Sequence, residues 1–149
     1  MLSNSAASEV ESVPPSAILE TCLHVADLHC SSQFYSGLFG YPVMQSDERF
    51  CAFSVGGRQV LLLFARGSDP NGTKLPFGGV IPPHGAIGSS HIGFAVASES
   101  LPTWRRLLAE RDIPIESTIV WPAGGTSIYF RDPDGHLLEL VTPGVWPIY

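Results

Sequence analysis

The sequence predicts an α+β fold in which a βαβββ unit occurs twice, with eight strands in all. Three observations carry this reading. A short strand containing a histidine precedes a helix in each half. Each helix is followed by an apolar-Pro-apolar step, Tyr41-Pro42-Val43 and Ile113-Pro114-Ile115. Each half then ends in strand-forming runs, the last two joined by a tight turn, Gly56-Gly57 or Asp132-Pro133-Asp134-Gly135.

Residues 1–17 are rich in Ser, Ala and Pro and read as a flexible tail. Residues 18–149 read as one domain, with modules at about 18–65 and 90–143. The first strand, 18–26, carries His24. Asp27 is placed to cap a helix over 28–39, whose apolar positions are Leu28, Phe34, Tyr35, Leu38 and Phe39, and Gly40 ends it. Strands follow at 41–46, 49–55 and 58–65. In the second half, 90–97 carries His91. The helix over 99–112 has a stripe of Leu101, Trp104, Leu107 and Leu108, with Pro102 in its first turn. Strands follow at 115–120, 126–131 and 136–142. The connection at 66–89, RGSDPNGTKLPFGGVIPPHGAIGS, is longer than an ordinary loop and runs into the strand of His91, so it is placed to line a pocket mouth.

Composition narrows the function. The formal charge is -6, and eight Lys and Arg are scattered with no run beyond Arg105-Arg106, which argues against nucleic acid as a partner. The longest apolar run, VLLLFA at 60–65, is strand-sized, so no membrane span is read. The N-terminus lacks the basic start and apolar core of a secretory signal, and a cytoplasmic location is expected. Cys22, Cys30 and Cys51 fit no disulfide or zinc spacing and read as buried free thiols.

The candidate chemistry rests on His24, His91 and Glu139. Two imidazoles and a carboxylate occupy one face of an octahedral metal and leave the other open, an arrangement suited to Fe(II). Each histidine alone reads equally as a hydrogen-bonded core residue. Glu139 is harder to explain: between Leu138 and Leu140 it must face a polar cavity or carry a buried charge. A metal accounts for all three. Strand alternation turns His24 inward with Cys22 and Ala26, and Glu139 inward with Leu137 and Val141. Matching Gly57 with Gly135 sets Leu61 opposite Glu139 in the repeat, which leaves three protein ligands. Tyr129 reads as a donor to a bound substrate oxygen or as part of the wall, and His84 as a proton shuttle or a loop residue. His29 and His136 read as surface residues, and Asp132 and Asp134 as turn formers. Trp121, Trp146 and Phe77 read as a wall for an aromatic ligand or as packing.

The blocks LETCLHVADLHCSSQFYSGLFGY, SSHIGFAV and GGTSIYFRDPDGHLLELVTP, in this order, resemble the vicinal oxygen chelate superfamily of glyoxalases, bleomycin resistance proteins and extradiol dioxygenases. The resemblance covers 18–143. It implies a cup of two βαβββ modules around a divalent metal held by His24, His91 and Glu139. Fe(II) is expected first, with Mn(II), Zn(II) or Ni(II) as alternatives. The glyoxalase branch has a further glutamate near the end of its first module, where this chain has VLLLF. The resemblance is thus closer to the extradiol dioxygenases, whose tyrosine ten residues before the glutamate ligand is matched by Tyr129. Their acid/base histidine lies farther from the second metal histidine than His84 does, so His84 would fill that role from a shifted loop. Ring cleavage of a small catechol-like substrate is the expected function. The alternatives are a glyoxalase-like lyase or isomerase, and a drug- or metabolite-binding protein of the bleomycin resistance type. Small members of the superfamily commonly dimerise, so a homodimer is expected.

Overall fold

The computed structural model describes residues 13–149, so the expectation for the tail falls mostly outside the described residues. The first module comprises β1 (Glu20–Val25), α1 (Leu28–Phe39), β2 (Val43–Ser46), β3 (Phe50–Val55) and β4 (Gln59–Ala65). The connection contributes two short strands, β5 (Thr73–Lys74) and β6 (Val80–Ile81). The second module comprises β7 (His91–Ala95), α2 (Leu101–Glu110), β8 (Ser117–Val120), β9 (Thr126–Arg131) and β10 (Leu137–Val141). Among the described residues, no helix is long and apolar enough to cross a membrane.

Local chemistry fixes these boundaries. The Asp27 carboxylate accepts the amide of Cys30 and starts α1, and Gly40, at φ 67°, closes it in the left-handed conformation. Pro102 lies in the first turn of α2, after a short 3-10 turn at Ser98–Ser100. The connection is more ordered than a loop. The strands β5 and β6 form an antiparallel hairpin, and Asp69 joins Thr73 and Arg49 at its base. Pairs of only two residues carry no readable alternation.

The eight module strands form two four-stranded sheets, ordered β1-β4-β3-β2 and β7-β10-β9-β8. One continuous cluster fills the space between sheets and helices. Leu23, Tyr35, Leu38, Phe53 and Leu63 from the first module join Phe94, Leu108, Ile128, Phe130 and Leu140 from the second. Phe39 crosses the seam, with its ring centroid 4.6 Å from Phe94 and 5.6 Å from Trp104.

Polar links from the Asp132–Gly135 turn close the same seam. Tyr35 donates to Asp132 at 2.9 Å. Asp134 accepts the amide of Ala26 and the hydroxyl of Ser31 and pairs with Arg66. His136, only 2% exposed, accepts the Ser90 amide at Nδ1 and so donates through Nε2 to the carbonyl of His24. His136 is therefore an internal tie rather than a surface residue, and the aspartates bind the modules together as well as forming a turn.

The two modules match in ladder register. Val60 donates its amide to the carbonyl of Leu19, and Leu137 donates to Ser90 in the same way, each at 2.8 Å. Setting Val60 against Leu137 brings the buried Phe53 opposite Phe130, Leu61 opposite Leu138 and Leu63 opposite Leu140. The parallel pairs extend the match to the first strands, where Glu20 pairs with Val60 and His91 with Leu137.

Candidate metal centre

Each sheet turns one face to the core and leaves the other open. The open face of the second sheet carries His91, Glu139 and Tyr129. Glu139, in the middle of β10, is directly opposite Tyr129 in β9 and Gly93 in β7. Glu139 is 8% exposed, and its Oε2 lies 3.0 Å from His91 Nε2. A Cβ added at Gly93 would lie 3.6 Å from that oxygen and 3.1 Å from Val141 Cγ2, so glycine keeps the space beside the carboxylate clear. An imidazole nitrogen and a carboxylate oxygen held this close together are suitable donors for a divalent cation. The Tyr129 ring is 6.1 Å from that of His91. Burial, together with the Glu139 charge, pushes the Tyr129 phenol up, against the lowering contribution of Ser127. A pocket of about 940 Å³ opens over this pair, with Trp146, Pro147, Ile148 and Tyr149 along its rim.

The open face of the first sheet carries His24. Its Nε2 lies 3.3 Å from His84 Nδ1, so one ring donates to the other. Phe64 stacks on His24 and receives the edge of His84, at centroid distances of 5.9 and 4.7 Å. Burial lowers the pKa of His24, as do the neighbouring His84, Arg66 and His136. A trough of about 560 Å³ runs along this sheet. Glu20, Cys22, Leu62 and Phe64 line it with His84, and Arg49 and Lys74 supply positive charge.

The structure thus joins His91 with Glu139 and His24 with His84, in different pockets. Among the described residues of one chain, no three His, Cys, Asp or Glu side chains are grouped to hold a metal. His24 therefore does not meet the other two expected ligands within a chain. The positional match between the histidines does not hold either: register pairs His91 with Glu20, and His24 with Ala95. The first-module counterpart of Glu139 is Leu62, because Leu61 points into the core. The hairpins are equally long, with Val55 paired to Gln59 and Asp132 to His136 around three-residue tips, but Gly57 is second in its tip and Gly135 third, so matching the glycines shifts the register by one. Glu20 was overlooked because the histidines drew the match. Starting from the buried phenylalanines, Phe53 and Phe130, would have found it. Only Cys51 of the three cysteines is buried; Cys22 and Cys30 are exposed. Phe77 is largely exposed, while Trp121 donates to Ser127.

The family profile for the Glyoxalase/Bleomycin resistance protein/Dioxygenase superfamily matches residues 17–140. The chain belongs to this superfamily. Within it, the chain is 29% identical over 123 residues to the metallothiol transferase FosB of Bacillus licheniformis, spanning 82% of this chain and 72% of that protein. It is 26% identical to the FosB of Staphylococcus epidermidis over 81% of this chain and 78% of the relative. The crystal structure of lactoylglutathione lyase from Agrobacterium tumefaciens matches with a TM-score of 0.81 and 33% identity, covering 91% of this chain and all of that one. These superfamily relatives support an enzyme that uses a metal. They do not single out a dioxygenase.

Proposed function

We propose that this protein is a metal-dependent lyase or transferase acting on a small molecule, with its site completed by a second copy of the chain. The observation that carries the proposal is the pair of exposed His91 and buried Glu139, which has matched donors, an open approach and no third ligand among the described residues of its own chain. Two open sheet faces, one with this pair and one with the trough, call for a homodimer in which the first module of one copy covers the second module of the other. The relatives named as a metallothiol transferase and a lactoylglutathione lyase support this reaction class.

A divalent metal bound here would act as a Lewis acid toward a substrate oxygen. His91 and Glu139 would hold it. Leu62, Phe64 and Phe50 give the trough an apolar floor that excludes water from the bound substrate. Lys74 and Arg49 suit an anionic group on the substrate, although Arg49 is already engaged by Asp47 and Asp69. The contact with His24 orients His84 and leaves His84 Nε2 to take or return a substrate proton. Tyr129, paired opposite Glu139, would donate to a substrate oxygen.

The test is turnover by apo protein reloaded with Mn(II), Zn(II), Ni(II) or Fe(II). Metal-dependent lactoylglutathione lyase activity or thiol transfer is expected. A protein that takes up no metal would reject the reading. An extradiol-type dioxygenase using Fe(II) is the second reading, favoured by the position of Tyr129 opposite Glu139. Oxygen uptake with catechols, and no lyase or transfer activity, would make it the better one.

A further inference from the structure

Glu20 occupies the same ladder position in the first module that His91 occupies in the second, just as Leu62 occupies that of Glu139. Glu20 begins the trough and shares its face with Cys22 and His24. Two similar modules facing each other around one centre are related by an approximate two-fold axis, which exchanges equivalent positions. His91 and Glu139 point to that centre in one copy. In a dimer with that symmetry the axis would bring Glu20 and Leu62 of the other copy to the opposite side. His24 lies four residues farther on, about 13 Å along the strand, and is engaged by His84.

We propose that Glu20 of one copy, and not His24, is the third protein ligand, completing a site of one imidazole and two carboxylates with His91 and Glu139 of the other. This rests on the reading of His91 and Glu139 as a metal pair. Leu62 offers no donor, so the set stops at three and leaves positions for substrate. A second carboxylate in place of an imidazole makes the donor set harder, which favours Mn(II) and moves the site away from the two-histidine set of non-haem iron oxygenases.

The experiment titrates apo full-length protein with Mn(II) and reads free ion by electron paramagnetic resonance, with circular dichroism to verify folding. Glu20→Gln should weaken binding roughly tenfold or more, as His91→Ala and Glu139→Gln do, while His24→Ala keeps it. Glu20→His should bind again, with its preference moved from Mn(II) toward Zn(II). Neither Glu20→Gln nor His91→Ala alone should hold metal at the working concentration. Co-expressed chains assort randomly, so mixed dimers of the two variants should restore about a quarter of the sites.

If Glu20→Gln binds like wild type while His91→Ala and Glu139→Gln do not, Glu20 is not a ligand and the metal pair stands. If the mixed dimers stay empty, the placement of Glu20 across the copies is wrong. If wild type takes up no metal, or His91→Ala and Glu139→Gln bind as wild type does, both readings fail.

Discussion

Tyr35 donates its hydroxyl to Asp132 across the seam between the modules, and both side chains are buried. The other oxygen of Asp132 accepts the amides of Asp134 and His136, so the carboxylate holds its own turn and the neighbouring module at once. Tyr35→Phe keeps the ring but leaves Asp132 Oδ2 without its donor. The expected loss is roughly 1–3 kcal/mol. Urea unfolding measures it, and an unchanged midpoint would show that the bond adds nothing to the seam.

The same contact predicts alkaline sensitivity. Burial pushes the Tyr35 phenol far up, and the Asp132 charge and hydrogen bond add to the shift. Burial also raises Tyr41, to about 12. A raised folded pKa favours the protonated form, so this stability is present below the unfolded tyrosine value of about 10 and is lost as pH rises above it. Unfolding free energy should therefore fall from about pH 10 upward. Tyr35→Phe should flatten that fall without abolishing it, because Tyr41 still titrates. Equal slopes for the two proteins would contradict the assignment.

The order of elements was legible because each rule is local. Asp27, Gly40 and Pro102 mark helix ends through their own backbone and side-chain chemistry, and 28–39 is helical over the whole span expected. The long-range ties were not legible. Nothing near Asp134 in sequence says that it receives Ala26 and Arg66, and nothing near His136 says that it reaches the carbonyl of His24. Two features of the site also escaped. The place of the glycine in each three-residue tip decides which β4 residue matches Glu139, and it differs between halves, Gly57 being second and Gly135 third. Whether two open faces meet in one chain or between copies depends on packing at the seam, which periodicity does not encode.

Glu139 should change the sign of its effect with metal. In apo protein a largely buried carboxylate is costly, so Glu139→Gln should leave thermal stability near wild type or raise it. With Mn(II) at about a hundred times its Kd, wild type should gain roughly 2.7 kcal/mol. Glu139→Gln should gain far less. Differential scanning calorimetry with and without metal separates the two effects, and equal shifts for both proteins would remove Glu139 from the ligand set.

Under the proposed function His84 serves proton transfer rather than metal binding, since its Nδ1 is engaged by His24. His84→Ala should keep the metal content of wild type while kcat falls roughly 10²–10⁴-fold. KM should change much less. Mutant kcat equal to wild type would leave His84 a wall residue, and loss of metal would point to a ligand role instead.

Gly125 should control the rim over His91 and Glu139. It sits at the start of β9, where the backbone of Gly144 and Val145 packs directly on it. A Cβ there would collide with Val145 N and Gly144 C, which are backbone atoms that cannot rotate aside. The segment after this crossing carries Trp146 to Tyr149 along the pocket, and the Tyr149 hydroxyl donates to the carbonyl of Val96 at 2.6 Å. Gly125→Ala should therefore displace the terminal segment and cost about 1–3 kcal/mol. Gly85→Ala, with open space around its Cβ, is the control and should be near neutral. Limited proteolysis followed by mass spectrometry should show faster cleavage after residue 144 in Gly125→Ala and wild-type cleavage in Gly85→Ala. Equal rates in both would mean that the close approach at Gly125 does not hold the rim in place.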